Sequence, residues 1–218
     1  MAHGTRTAFP SRIFVTALAV GLGLTLVGCG SSNHVVGGTT TSTVSTTLQN
    51  PSAGRPVPSG TVAADFALRD QHGAIVRLSQ QRGKITMLTF LYTHCVDVCP
   101  LIAEELNAVL RNLDSQRNDA RVLAVSVDPR FDTPQAIAHF IAQHRLLPQF
   151  HYLRGTRPQL QRVWQSYNVL VIPKNPDLMA HTASITLIDQ HGEPRMVYPA
   201  TASATTILRD ARRLLRAT

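Results

Sequence analysis

The chain has 218 residues, enough for one domain of ordinary size with extensions. Its 44% hydrophobic and 16% charged content exclude wholesale disorder and supply material for a core. The net charge of +8 would suit a nucleic-acid binder, but no Lys/Arg block interleaves with aromatics, which argues against nucleic acid as a partner. The densest basic cluster, Arg209, Arg212, Arg213 and Arg216, reads as a solvated helix face.

There are three cysteines, Cys29, Cys95 and Cys99. Residues 1–28 have the pattern of an export signal: Arg6 and Arg12 supply positive charge, and Ile13 to Val27 is an apolar run. That run is shorter than the roughly 20 residues a membrane span needs. Leu26-Val27-Gly28-Cys29 resembles a bacterial lipobox, which predicts lipidation of Cys29 and a chain anchored on the extracytoplasmic face of the cell membrane. An ordinary signal peptide or an uncleaved anchor is the alternative. Lipidation would leave two cysteines, an even number in an oxidising compartment.

Residues 29–60 are Ser-, Thr-, Gly- and Pro-rich, with Arg55 the only charged side chain. Such a segment cannot bury enough apolar surface to fold alone, and it predicts a flexible tether spanning roughly 30 Å. The folded domain is predicted over 61–218. Phe66-Ala67-Leu68 and Ile75-Val76-Arg77-Leu78 flank Asp70-Gln71-His72-Gly73, which reads as a hairpin. Ile85–Tyr92 is the most strand-like run. A helix is predicted over 101–116, with Ile102, Leu106, Val109 or Leu110, and Leu113 on one face. Val122–Val127 has the apolar continuity of a strand buried on both faces. Thr133 and Pro134 open the next helix, running to about His144. A short strand at Phe150–Leu153 and a helix over Pro158–Tyr167 follow. Val169–Ile172 is apolar, and Pro173–Asp177 reads as a loop. His181–Asp189 is predicted as a single strand, returning through a Gly192 turn to Arg195–Tyr198 before a last helix at about 202–216. This order predicts an α/β domain of the thioredoxin-like kind, a central mixed sheet flanked by helices with an N-terminal hairpin.

The chemistry centres on Cys95-Val96-Asp97-Val98-Cys99-Pro100, between a strand end and a helix start. Residues i and i+4 share a helix face with Cβ atoms roughly 5–6 Å apart, and a helix N-terminus favours thiolate. A structural disulfide is disfavoured because so small a loop constrains the unfolded chain little. A redox dithiol and a soft-metal site both stay open. His181, at a predicted strand start, is a candidate third donor. Two thiolates and one imidazole suit copper better than a closed structural zinc site, which takes four ligands.

Asp65-Phe66, Gly83-Lys84, Phe90-Leu91-Tyr92-Thr93, Cys95 to Pro100, Ser126-Val127-Asp128-Pro129, Asp132-Thr133-Pro134 and His181-Thr182 with Leu187-Ile188-Asp189 occur in this order. Over about 64–216 the chain thereby resembles the SCO/SenC family of thioredoxin-like copper proteins. The resemblance implies Cys95, Cys99 and His181 as ligands of Cu(I) or Cu(II). It also implies a part in building the dinuclear copper centre of cytochrome c oxidase, whose copper-centre subunit would be the partner, with other copper carriers or thiol reductants upstream. Asp97 and Asp128 are candidates for groups behind the ligands, and His94 is a neighbour the resemblance does not make a ligand. Ala180 stands before His181 where an acidic residue is expected. The competing readings are a thiol-disulfide oxidoreductase using Cys95 and Cys99, whose spacing is one residue longer than Cys-x-x-Cys, and a peroxiredoxin-like peroxidase, whose Pro and Thr spacing is not reproduced.

Overall fold

The structure is a computed structural model that describes residues 53–175 and 178–217, within the compact unit Thr47–Thr218. The predicted export signal, Cys29 and most of the predicted tether lie outside the described residues. In chain order the strands are β1 (Arg55–Pro56), β2 (Ala67–Arg69), β3 (Ile75–Arg77), β4 (Ile85–Leu91), β5 (Ala120–Ser126), β6 (Phe150–Leu153), β7 (Val171–Asn175), β8 (Leu178–His181), β9 (Ser184–Ile188) and β10 (Pro194–Pro199). The helices are α1 (Val98–Asn112), α2 (Pro134–Gln143), α3 (Arg157–Ser166) and α4 (Ala204–Arg216).

A six-stranded sheet runs β1-β10-β9-β4-β5-β6, with β4, β5 and β6 parallel and the remainder antiparallel. It is the mixed sheet the sequence predicts, flanked by helices and preceded by the β2–β3 hairpin. All seven residues of β4 are buried, as a strand covered on both faces requires. The helices α1, α2 and α4 pack together: His144 Nδ1 lies 2.9 Å from Glu104 of α1, Asn107 of α1 accepts from Leu147 N, and Arg212 of α4 donates to Asn112 O. Helix α3 meets Phe90 of β4 and Phe66 through Tyr167, whose hydroxyl donates to Ala64 O. In the C-terminal basic cluster, Arg209 and Arg213 face Asp210, and Arg212 faces Asp114.

Four boundaries differ from the sequence reading. Helix α1 begins at Val98 and ends at Asn112, because Asp97 takes the N-cap and Asp114, at φ +49°, cannot continue a right-handed helix. A 3-10 segment, Asp114–Asp119, follows. Arg55 and Pro56, placed by composition at the end of the tether, pair with Val197 and Met196 at the sheet edge. Pro173–Asp177 is not a simple loop: β7 pairs antiparallel with β8, and a register shift between Pro173 and Asn175 accommodates the proline, which has no N–H to give. His181 therefore ends β8 rather than opening β9. The break falls where Thr182 N turns away to donate to Leu170 O.

Candidate metal centre

The site lies at the carboxyl end of the parallel strands, where open α/β sheets place their functional groups. After β4 the chain turns at Tyr92, and Cys95 N donates back to Tyr92 O at 3.3 Å. Cys95 is 8% exposed and Cys99, in the first turn of α1, is wholly buried; both are free thiols. The Cys99 side chain, hydrogen-bonding to Cys95, pushes the Cys95 thiol down to about 5. Burial opposes this, while the backbone N–H groups of Asp97 and Cys99 and the Tyr92 hydroxyl reinforce it. Those N–H groups belong to the helix start, and no acidic residue in the first turn of α1 competes with the thiolate. Cys99 is pushed strongly up, first by its hydrogen bond to Cys95, then by burial and the Cys95 charge. The two shifts run in opposite directions and favour a thiolate on Cys95 beside a thiol on Cys99.

His181 reaches the same place from β8. Its Nε2 lies 3.7 Å from Cys99 Sγ. Its Nδ1–H donates to Thr182 O at 3.1 Å, which fixes the tautomer and leaves the Nε2 lone pair facing the sulfur. Burial pushes the imidazole pKa down, so the ring is held neutral, the form a metal requires. Among the described residues no three His, Cys, Asp or Glu side chains already stand as a formed metal cluster. The donors adjoin pairwise instead, Cys95 to Cys99 and Cys99 to His181. Two sulfurs and a neutral imidazole nitrogen form a set that fits a soft ion such as copper.

The other sequence candidates sit farther out. The Asp97 side chain is exposed and makes no capping bond, so its contribution to Cys95 comes from its backbone N–H. Asp128 is buried, held by Arg130 at 2.9 and 3.0 Å, with His94 Nε2 3.8 Å away. Its route to the ligands runs through rings: His94 packs edge-on against Tyr92, and Tyr92 edge-on against His181. The His94 ring is thus a packing element, flanked on its other side by Phe131.

Sequence reasoning gave no role in the site to Asp132. Its buried carboxylate accepts from Thr93 N and Thr93 Oγ1, each at 2.8 Å, from Ser126 Oγ, and from Tyr152 OH at 3.1 Å. It ties the segment entering Cys95 to the ends of β5 and β6. A carboxylate directly ahead of the Thr133 N-cap was the available signal, but it reads locally as part of a helix start. Exposed apolar residues also lie on the segments that carry the site. Of the seven large hydrophobic residues exposed among the described residues, five lie on its segments: Val96, Leu101, Phe131, Leu170 and Ile172. Val96, between the two thiols, is 95% exposed.

The SCO1/SenC family model matches residues 55–216. The chain belongs to the SCO1/SenC family. It is 25% identical over 138 residues to an SCO2-like protein of Rickettsia felis, covering 61% of this chain and 66% of that protein. It is 31% identical over 160 residues to the protein SCO2 homolog, mitochondrial, of Bos taurus, covering 70% of this chain and 59% of the bovine one. These matches span somewhat less than two thirds of the relatives' own length. Among solved structures, Bradyrhizobium japonicum ScoI with copper bound is 31% identical at a TM-score of 0.63, covering 71% of this chain and 99% of that one. The likeness extends over the whole domain and establishes the thioredoxin-like fold.

Proposed function

We propose that this protein binds one copper ion through Cys95, Cys99 and His181 and passes it to the copper-centre subunit of cytochrome c oxidase. The observation that carries this reading is the contact between Cys99 Sγ and a His181 Nε2 whose lone pair is freed by the Nδ1–H bond to Thr182 O. The copper-bound Bradyrhizobium relative supports it, as does membership of the family. Three donors with exposed apolar residues on the segments that carry them suit transfer better than storage, because an acceptor can seat on those residues and approach the ion. The depressed Cys95 thiol supplies a ligand ready in its binding form. The lipobox-like Cys29 supports a lipid-anchored location on the extracytoplasmic face.

Copper titration of the reduced protein tests the ligands. One equivalent binds, and the Cu(II) form shows thiolate-to-copper charge-transfer bands that vanish in Cys95→Ala and Cys99→Ala. Unchanged affinity in His181→Ala would remove the imidazole from the set. Cys29→Ser tests the anchor: the protein leaves the membrane fraction.

The low Cys95 pKa favours a second role. The Cys95 thiolate attacks a client disulfide and Cys99 resolves the mixed disulfide; two electrons pass to the client, one proton comes from Cys99 and one from water, and Cys95 and Cys99 become a disulfide. Reduction of a disulfide-bonded client peptide by the metal-free protein, lost in Cys95→Ala, checks it.

A further inference from the structure

We propose that a second cavity, on the hairpin side of the β5 and β6 ends, binds a phosphate group. The cavity has a volume of about 530 Å³ and is walled by Leu68 and Arg69 of β2, Pro129, Thr133 and Pro134 of the α2 entry, and Arg154 to Thr156 of the α3 entry. Like the metal centre, it sits where parallel strands end, the usual place for ligands in open α/β sheets.

Two arginines define its chemistry. Arg69 N donates to Arg154 O at 3.0 Å and Arg154 N to Arg69 O at 2.7 Å, an isolated antiparallel bridge. Residues that exchange both hydrogen bonds have Cα atoms about 5.5 Å apart and side chains on one face. Arg69 is exposed and Arg154 half-buried; two cations placed opposite one another repel even when water screens them in part, and an anion bound between them offsets that repulsion. Among the described residues neither guanidinium has a carboxylate within ion-pair distance. Arg69 Nη1 donates to Gly73 O at 2.8 Å. The cavity's own carboxylate, Asp132, is already engaged by Thr93, Ser126 and Tyr152.

The remaining walls add donors. Thr133 and Thr156 are the N-caps of α2 and α3, so both helices begin at the cavity, and neither has an acidic residue in its first turn. Gln159 accepts through Oε1 from Thr156 N and Thr156 Oγ1, which turns its amide N–H groups outward. Gly155 holds this wall against the hairpin: a Cβ there would stand 2.8 Å from Leu68 Cδ2. Donors from the two arginines and the Gln159 amide, with the positive ends of two helix dipoles behind them, match a tetrahedral oxyanion better than a planar carboxylate. The volume exceeds that of phosphate alone, and Ala67, Ile75, Pro129 and Pro134 give it apolar walls, so the phosphate is carried on a larger, partly apolar body. A free phosphorylated small molecule and the headgroup of an anionic phospholipid both present that chemistry.

The test uses the full chain, with inorganic phosphate titrated at constant ionic strength and the amide resonances of Gln135, Gly155 and Thr156 followed. Saturable shifts are expected, with affinity lowered at least about tenfold in R69Q/R154Q. R154K, which keeps the charge, retains part of the binding, and unchanged thermal midpoints establish that the variants are folded. A second arm measures flotation with phosphatidylcholine vesicles with and without phosphatidylglycerol. Flotation on the anionic vesicles that R69Q/R154Q or added phosphate abolishes identifies a headgroup. Saturable phosphate binding without such flotation identifies a free phosphate compound. Absence of variant-sensitive binding in both arms overturns the proposal.

Discussion

The two parts of the chain that meet at the metal centre are built differently. The dithiol segment follows a fully buried strand, enters a core helix, and is tied through Thr93 to a buried carboxylate that also holds Ser126 and Tyr152. His181 comes from a two-stranded ribbon, β7–β8, outside the main sheet, whose Leu170 and Ile172 flank is exposed. Among the described residues the ribbon's hydrogen bonds at the site are local, Thr182 N to Leu170 O, Leu170 N to Thr182 Oγ1 and the imidazole to Thr182 O, with Val171 packed against the core. Two ligands are thus fixed by the fold and the third by its neighbours. A site that must release its ion gains from this division, because one donor can withdraw without disturbing the core.

Removing a ligand that the fold fixes has the largest effect. Cys99→Ser keeps the volume and a polar hydrogen but loses the thiolate. Copper affinity, measured by competition with a chelator, falls by more than the roughly 10–100-fold that losing a group hydrogen-bonded behind a ligand costs. Next is the support behind the dithiol. Asp132→Ala strands four donor groups, two of them on the buried Ser126 and Tyr152, and lowers unfolding free energy by about 3 kcal/mol in urea titration. His181→Ala acts on the other region and separates the two. It weakens copper by about tenfold or more, yet shifts unfolding free energy by only about 0.5 kcal/mol. If it destabilises as much as Asp132→Ala, the ribbon is part of the core and the division fails.

Two smaller effects concern the Cys95 thiol and the Thr182 hydroxyl. The Cys95 thiol of the metal-free protein alkylates with iodoacetamide at a rate that is half-maximal near pH 5, and Cys99→Ala moves that midpoint up toward an ordinary thiol. A thiol depressed on folding stabilises the metal-free protein fully above its unfolded value near 9, and that contribution is lost as pH falls toward 5. Thr182→Val removes the hydroxyl acceptor of Leu170 N while leaving the carbonyl that orients His181. Copper affinity changes by less than about tenfold, by the same competition assay.

The parts of this molecule that could be read from sequence were those with a strong local signal. β4 and β5 showed as apolar runs, α2 as Thr133-Pro134, and the dithiol as a spacing. The β7–β8 ribbon was hidden because Pro173 and Pro176 carry a loop signature, and the strand pairing that overrides it depends on register rather than composition. Asp132 was hidden for a different reason. Its four donors come from Thr93, Ser126 and Tyr152, on three separate segments, so nothing around it in sequence marks it as a junction. Arg69 and Arg154 lie 85 positions apart and likewise become neighbours only through the fold.

The asymmetry of the two sulfurs has a stoichiometric consequence. With Cys95 already a thiolate and Cys99 still protonated, loading the proposed copper ion expels one proton per ion rather than two. Over the range where that state holds, affinity then rises about tenfold for each pH unit, and a weakly buffered solution acidifies by one equivalent as copper is taken up. Unloading runs the same exchange backwards, so the medium's acidity sets how firmly the cargo is held.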